Sequence, residues 1–186
     1  TDKIARAVRS LTEYNPALKV KIASLNALPY PDEYFGGVLS IGALEFMEDK
    51  VADALREVHR VLEPNGLFFI EVPYANILRR LFYLPLKKLE KAIKKKRGLT
   101  PTFSNYVFHP SELKRILADA GFQTTAIKPH DLPQANSHFG LFIDWKILRG
   151  HQPYQLNLLG LIVKKLLNST SPWLAATGIV IVARKK

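Results

Sequence analysis

The chain contains no cysteine, so it has no disulfide framework, no thiolate metal site and no thiol nucleophile. A single methionine stands among 186 residues, and the first residue is Thr1. No apolar run reaches the roughly 18 residues that a membrane-spanning helix needs. Gly-x-Gly is also missing: ten glycines are present, and no two are separated by one residue. Acids are scarce, with 16 Asp and Glu against 27 Lys and Arg, a formal net charge of +11. What remains is a globular composition. It is 47% hydrophobic and 23% charged, which excludes a disordered chain and supplies a proper core.

The positive charge is concentrated. From Arg79 to Arg97 there are nine basic residues and one acid, Glu90, so this stretch carries +8 of the +11. The rest of the chain is close to balanced.

Helical and extended patterns alternate along the sequence. Ile4, Ala5, Val8 and Leu11 recur at helical spacing behind Thr1, a residue suited to capping. Val20, Ile22 and Leu25 follow as a short strand, and Pro29-Tyr30-Pro31-Asp32 is a rigid turn. Val38-Leu39-Ser40-Ile41 has the compact apolar character of a strand covered on both faces. The spacing of Val51, Ala54, Leu55, Val58, Val61 and Leu62 predicts an amphipathic helix stopped by Pro64-Asn65-Gly66, and Leu67 to Val72 is the next strand. Residues 76–97 read as a basic helix kinked at Pro85, with Ile77, Leu78, Leu81, Leu89 and Ile93 on its apolar side. His109-Pro110-Ser111-Glu112 opens another helix that Gly121 ends, and strands are expected over 122–128 and 178–184. Between them lies a Leu-rich insert with two short helices, over 129–173. The alternation predicts an α/β domain with a largely parallel sheet.

Three segments occur together. They are Ala27-Leu28-Pro29-Tyr30-Pro31-Asp32-Glu33-Tyr34-Phe35, Val38-Leu39-Ser40-Ile41-Gly42-Ala43-Leu44-Glu45, and Leu55-Arg56-Glu57-Val58-His59-Arg60-Val61-Leu62-Glu63-Pro64-Asn65-Gly66-Leu67. In this order and spacing they closely resemble class I S-adenosylmethionine (SAM)-dependent methyltransferases of the small-molecule "type 11" kind. The resemblance implies a Rossmann-like sheet of order 3-2-1-4-5-7-6, its last strand antiparallel. On that plan the third to seventh strands fall at 19–25, 38–41, 67–72, 122–128 and 178–184, and a helical cap-like insert separates the last two. The first two strands, with the family's glycine-rich turn and its ribose-gripping acid, have no counterpart. The expectation is a single partial domain over 1–186, with a basic helix and loop at 76–106, that binds SAM poorly on its own.

The resemblance also implies where the cofactor meets the chain. Ser24, Leu25 and Asn26 match the positions after the third strand that meet the adenine, with Ser24 in place of the usual Asp. Ser40, Ile41, Gly42 and Phe46 match the loop that passes under the methionine part of SAM. Gly36 and Phe46 depart from the residues common there, an Asp and a His, and leave room for a non-catalytic, membrane- or partner-binding member of the fold. Methyl transfer from an activated sulfonium relies mostly on alignment, with a base needed for some acceptors. His130 and His138 in the insert are weak candidates for that base. Tyr74, Tyr106 and His109 are candidate substrate-side groups, although a histidine at a helix start also suits capping. No metal site is expected.

The basic segment has three readings. It is a solvated face whose lysine stems cover an apolar stripe, a docking surface for an anionic membrane through residues 77–97, or a polyanion site. No nucleic-acid-binding motif supports the last. Leu156, Leu158, Leu159, Leu161, Ile162, Val163, Leu166 and Leu167 crowd a window too short to span a bilayer but suited to an interface or a greasy pocket. The expected acceptor is a small or lipid-like molecule, and the expected location is the cytoplasm with peripheral contact at a membrane.

Overall fold

The computed structural model describes residues 10, 13–15, 17, 19–77, 79–100, 103, 105–130 and 156–186. The helix expected near the N-terminus falls almost wholly outside these residues. Strand β1 (Phe35–Ile41) leads through a 3-10 turn (Leu44–Phe46) to helix α1 (Val51–Val61), then to β2 (Leu62–Pro73). A π-helical turn (Arg79–Tyr83) precedes α2 (Leu84–Lys96). Next come α3 (Pro110–Asp119), β3 (Phe122–His130), α4 (Leu158–Thr170), α5 (Pro172–Ala175) and β4 (Gly178–Lys185).

The four strands form one sheet in the order β1-β2-β4-β3. β1 and β2 are parallel, and β4 runs antiparallel to both β2 and β3. Side chains alternate across a strand, so Phe68, Ile70 and Val72 share one face with their partners Ala183, Ile181 and Ile179. Against that face pack Ala54, Leu55 and Val58 of α1 and Leu113 and Leu117 of α3, all fully buried. Phe122 joins the two helices to the sheet, with its ring 5.2 Å from His59 and 5.4 Å from Phe68.

Two local signals act as the sequence implied. α1 stops at Val61, and Asn65 takes a left-handed φ of 65°, so Pro64-Asn65-Gly66 loops out between the pairs Phe35–Leu62 and Gly37–Leu67. Glu57 and Arg60 of α1 clamp the proline-rich turn. The Leu28 N–H donates to Glu57 Oε1 at 2.8 Å, while Arg60 reaches the Leu28 carbonyl at 3.2 Å and Asp32 at 2.6 Å. Ion pairing with Arg60 holds the Glu57 carboxyl below its usual range.

Several expectations need correction. Residues 19–25 form no strand: their only ladder contact is an isolated bridge from Ser24 to Ala27, because alternation without a hydrogen-bonding neighbour does not make a strand. Among the described residues β1 is not covered on both faces. α1 and α3 pack on one side only, and Leu39, Ile41 and Phe69 remain exposed on the other. The expected irregularity at Pro85 takes the form of the π-helical turn Arg79–Tyr83, which runs directly into α2 just ahead of the proline. Finally, β3 continues through Pro129 to His130, so His130 ends a strand and does not belong to the insert.

Candidate functional site

β1, β2 and β3 all point the same way, and their C-terminal ends share one edge of the sheet. Open α/β sheets hold ligands beyond that edge. Immediately after β1 the chain turns at Gly42, whose φ of +61° a side chain would strain. The turn carries Glu45 back beneath the strand end, where only 6% of it is exposed. A Cβ built on Gly42 would stand 3.7 Å from Glu45 Oε1, so the glycine keeps the backbone close to the carboxylate.

The loop before α3 closes over this turn. The Tyr106 N–H donates to the Glu45 carbonyl at 2.8 Å. Its phenol donates to Asp49 Oδ1 at 3.2 Å and accepts from the Asp49 N–H at 3.3 Å. The Phe108 N–H donates to the Pro73 carbonyl at 2.8 Å, and the Phe108 carbonyl accepts from Ala75. Tyr74, between them, is buried with its ring edge-on to Trp173 at 5.5 Å, and burial pushes its phenol above the ordinary range.

Electrostatically the edge is unusual for so basic a chain. Burial raises the Glu45 carboxyl above its ordinary range, opposed by a hydrogen bond from its own backbone and assisted by the nearby charge of Glu71. Glu45 Oε2 and the hydroxyl of Ser40 (6% exposed) are both buried and lack a hydrogen-bond partner. Leaving such a group unmet costs about 1–3 kcal/mol. Glu71 in turn stands 3.8 Å from His130 Nε2, across the intervening strand β4. His130 lines a cleft of about 220 Å³ with Pro129, Asn168, Pro172 and Ala176.

The residues picked from sequence therefore divide. Ser40 and Gly42 stand at the end of β1, Tyr106 bonds to Glu45 in the turn that follows, and His130 lies 3.8 Å from Glu71 at the same edge. Ile41 and Phe46 flank the turn and are exposed. Ser24, Leu25 and Asn26 form a separate tight turn, in which the exposed Ser24 hydroxyl bonds to Asn26 Oδ1 and Leu25 packs on the core. His109 caps α3: its Nδ1 lies 2.7 Å from Ser111 Oγ and accepts the Ser111 N–H at 3.4 Å. It also borders a cleft of about 390 Å³ with Arg80 and Glu112. His138 lies outside the described residues.

Glu45, Glu71 and Asp49 were not singled out from sequence. Glu71 had a signal: it is the one acid in the otherwise apolar run from Leu67 to Val72. Arg79 is a second surprise. It counts in the basic segment but is fully buried, donating to the carbonyls of Tyr74 and, at 2.8 Å, Thr177. Asn76 completes this lock, bonding to the Ala176 carbonyl at 2.9 Å, so the chain after β2 is fastened to the chain before β4.

Residues 1–70 match the family model described as "Methyltransferase domain". A relative, the ubiquinone/menaquinone biosynthesis C-methyltransferase UbiE of Shewanella sp. (strain W3-18-1), is 32% identical over 111 residues, which cover 54% of this chain and 44% of that protein. The chain thus spans less than half of the relative's length. Among solved structures, a SAM-dependent methyltransferase from Methanosarcina mazei aligns with a TM-score of 0.54 at 16% identity, over 89% of this chain and 66% of the other. The Burkholderia thailandensis 1,6-didemethyltoxoflavin-N1-methyltransferase, with bound S-adenosylhomocysteine, aligns with a TM-score of 0.52 at 16% identity, over 96% and 56%. At this identity the two structures show a shared Rossmann-like fold. The methyltransferase match spans β1, α1 and most of β2, and so includes the Gly42–Glu45 turn.

Proposed function

We propose that the chain is part of a SAM-dependent methyltransferase acting on a small or lipid-like acceptor met at a membrane surface. One observation carries the reading: a left-handed glycine stands 3.7 Å from the buried Glu45 carboxylate, one of whose oxygens, like the nearby buried Ser40 hydroxyl, lacks a protein partner. The chemistry of this donor set fits SAM, whose ammonium and sulfonium groups are cationic and whose approach needs close backbone. Ser40, Gly42 and Glu45 are the residues assigned to hold it, with Ile41 and Phe46 as the apolar walls. The bound cofactor supplies an activated methyl group. The chain's own part is to align it, exclude water and, where the acceptor needs it, take a proton. His130 is assigned that last task. Glu71 holds the imidazole toward the sheet edge as a positioning residue. Tyr106 shapes the acceptor side through its bonds to Glu45 and Asp49.

Residues 1–186 contain no Gly-x-Gly turn, so weak cofactor binding by this stretch alone is part of the proposal. Calorimetry on residues 1–186 is expected to show no micromolar SAM binding, and such binding would overturn that part. The full product of the encoding gene is expected to transfer labelled methyl from SAM to a component of a lipid or small-molecule extract. Absence of SAM binding by the full product would favour the rival reading, a non-catalytic member of the fold. The observation on that side is Ser24, exposed and satisfied locally by Asn26.

A further inference from the structure

α2 has no buried residue, yet it carries Leu84, Leu86, Leu89, Ala92 and Ile93. Leu86, Leu89 and Ile93 recur three and four residues apart and so share one face. They are 58%, 58% and 43% exposed. The helix end lengthens this stripe. Gly98, at φ +70°, turns the chain back so that its N–H meets the Lys95 carbonyl and the Leu99 N–H meets the Lys94 carbonyl, both near 3 Å. This is the reversal that folds a trailing apolar residue over the last turn. Leu99 with Leu86, Leu89, Ile93, Lys94 and Arg97 encloses a shallow groove of about 350 Å³.

Charge selects what covers that groove. Between Lys87 and Arg97 seven basic residues accompany a single acid, Glu90, which pairs with Lys94 at 2.5 Å. Lys88, Lys91 and Lys95 follow the side opposite the leucines, and Lys96 and Arg97 flank the stripe. A buried partner protein would have to match so dense a charge with acids around a leucine seam. A polyanion such as nucleic acid would use the cations and leave the leucines in water. An anionic bilayer uses both, because the apolar stripe sinks to the acyl boundary while lysine stems reach back to the headgroups. The geometry also suits lying flat. A helix of 13 residues is about 20 Å long, and no described helix is long and apolar enough to cross a membrane. α4 also exposes leucines but carries only Lys164 and Lys165, so it selects no partner in the same way.

We infer that α2, extended by Leu99, is an interfacial helix that docks the protein on an anionic lipid surface, with Leu86, Leu89 and Ile93 inserted and the basic face on the headgroups. This deepens the proposed function, since it names how a lipid-like acceptor is approached. Its test needs neither SAM nor acceptor, so either reading can fail without the other.

The absence of cysteine makes the test clean. Leu89→Cys and Lys95→Cys, each labelled with a polarity-sensitive dye, are mixed with vesicles of phosphatidylcholine alone or with added phosphatidylglycerol. The label at 89 is expected to shift to the blue on anionic vesicles, and the label at 95 to stay as in water. In co-sedimentation of the unlabelled full chain, the partition coefficient is expected to fall about tenfold on raising salt from 0.05 to 0.5 M, as surface charge is screened. The triple variant Leu86→Gln, Leu89→Gln, Ile93→Gln should lose about tenfold at low salt while its far-ultraviolet spectrum is unchanged, because none of the three is buried in the fold. Failure to bind anionic vesicles overturns the inference. So does binding that the triple variant retains in full, which is the outcome expected of a plain polyanion site. Equal binding to neutral vesicles removes the role given to the lysines and overturns it as well.

Discussion

Replacing Glu45 by Gln should stabilise the protein, and only above a definite pH. The wild-type carboxyl is 6% exposed, leaves Oε2 without a partner and faces the charge of Glu71. Its folded pKa therefore lies above the ordinary 4.5. Between 4.5 and that raised value the native state holds more protons than the unfolded chain, so stability falls as pH rises through this window. Below it both states are protonated, and the penalty is absent. Gln removes the charge but keeps an oxygen that is still unmet, so the gain at neutral pH belongs at the low end of the range for a buried unsatisfied group, about 1 kcal/mol. For a chain of this size that is roughly 2–4 °C in Tm. Thermal melts by circular dichroism across pH 4 to 8 would show the variant ahead at pH 7 and 8, with the gap closing towards pH 4. Other titrations occur in both proteins and cancel in the difference. The backbone bond from Tyr106 to the Glu45 carbonyl is indifferent to the change. A variant less stable at every pH, or a gap that ignores pH, would refute the claim that this carboxylate is buried without compensation. If the same variant loses SAM binding in the full gene product, the stability sacrificed at Glu45 is explained by function.

Gly121→Ala should cost about 2–3 kcal/mol, because φ is +88° there and a Cβ would stand 2.7 Å from His59 Nε2. Adding His59→Ala removes the clash but not the backbone strain, so the double variant should melt above the sum of the singles, a coupling that additive effects would contradict. His59 itself is held below 6.5 by burial and then by Lys185, so the unfolded chain takes up the proton first and stability should drop as pH falls through and below 6.5. His59→Gln should flatten that part of the profile, and an unchanged slope would exclude His59 as its source. Glu57→Ala should cost about 1.5–3 kcal/mol, because it frees the Leu28 N–H and loosens Arg60 from the proline turn. The loss should shrink in acid, since the depressed Glu57 carboxyl contributes stability only while ionised. Lys185→Met deletes the 2.7 Å bond to the Leu62 carbonyl, and a destabilisation of about 1–2 kcal/mol by urea titration is expected.

Much of the fold was legible because periodicity reports burial, and burial is what the sheet and its helices share. Ala54, Leu55 and Val58 announced the packed face of α1, and Leu113 and Leu117 that of α3, through spacing alone. Pro64-Asn65-Gly66 announced a turn because a left-handed φ there favours Asn and Gly. Periodicity is silent on pairing. Val20, Ile22 and Leu25 alternate as well as many strands do, yet among the described residues the stretch 19–25 makes only the isolated Ser24–Ala27 bridge and forms no strand. It is silent too on coverage. Leu39 and Ile41 look like a strand buried on both faces, but a helix must actually lie on each face for that, and α1 and α3 share one.

The site was legible in part, for a related reason. Gly42 stood out because only a glycine tolerates that turn, and the β1 end could be placed from the motif around it. What the motif could not show is which of its members serve structure. Glu57 and Arg60, in the most recognisable segment, turn out to hold the Leu28–Asp32 turn against α1, so their presence speaks for the fold and not for chemistry. Glu71 and Glu45 gain their meaning only from neighbours distant in sequence: His130 across β4, Tyr106 from the loop before α3. Arg79 shows the same limit with opposite sign, a cation that composition assigns to a charged surface and that the backbone carbonyls of Tyr74 and Thr177 draw inside. Removing it from the surface leaves Arg80, the half-buried Lys87 and six exposed basic residues of α2 and its end as the outer part of the segment. That concentrates the excess charge on a helix whose leucines are also uncovered, and a charge and an apolar stripe on the same exposed helix are jointly satisfied by an anionic lipid surface more completely than by water.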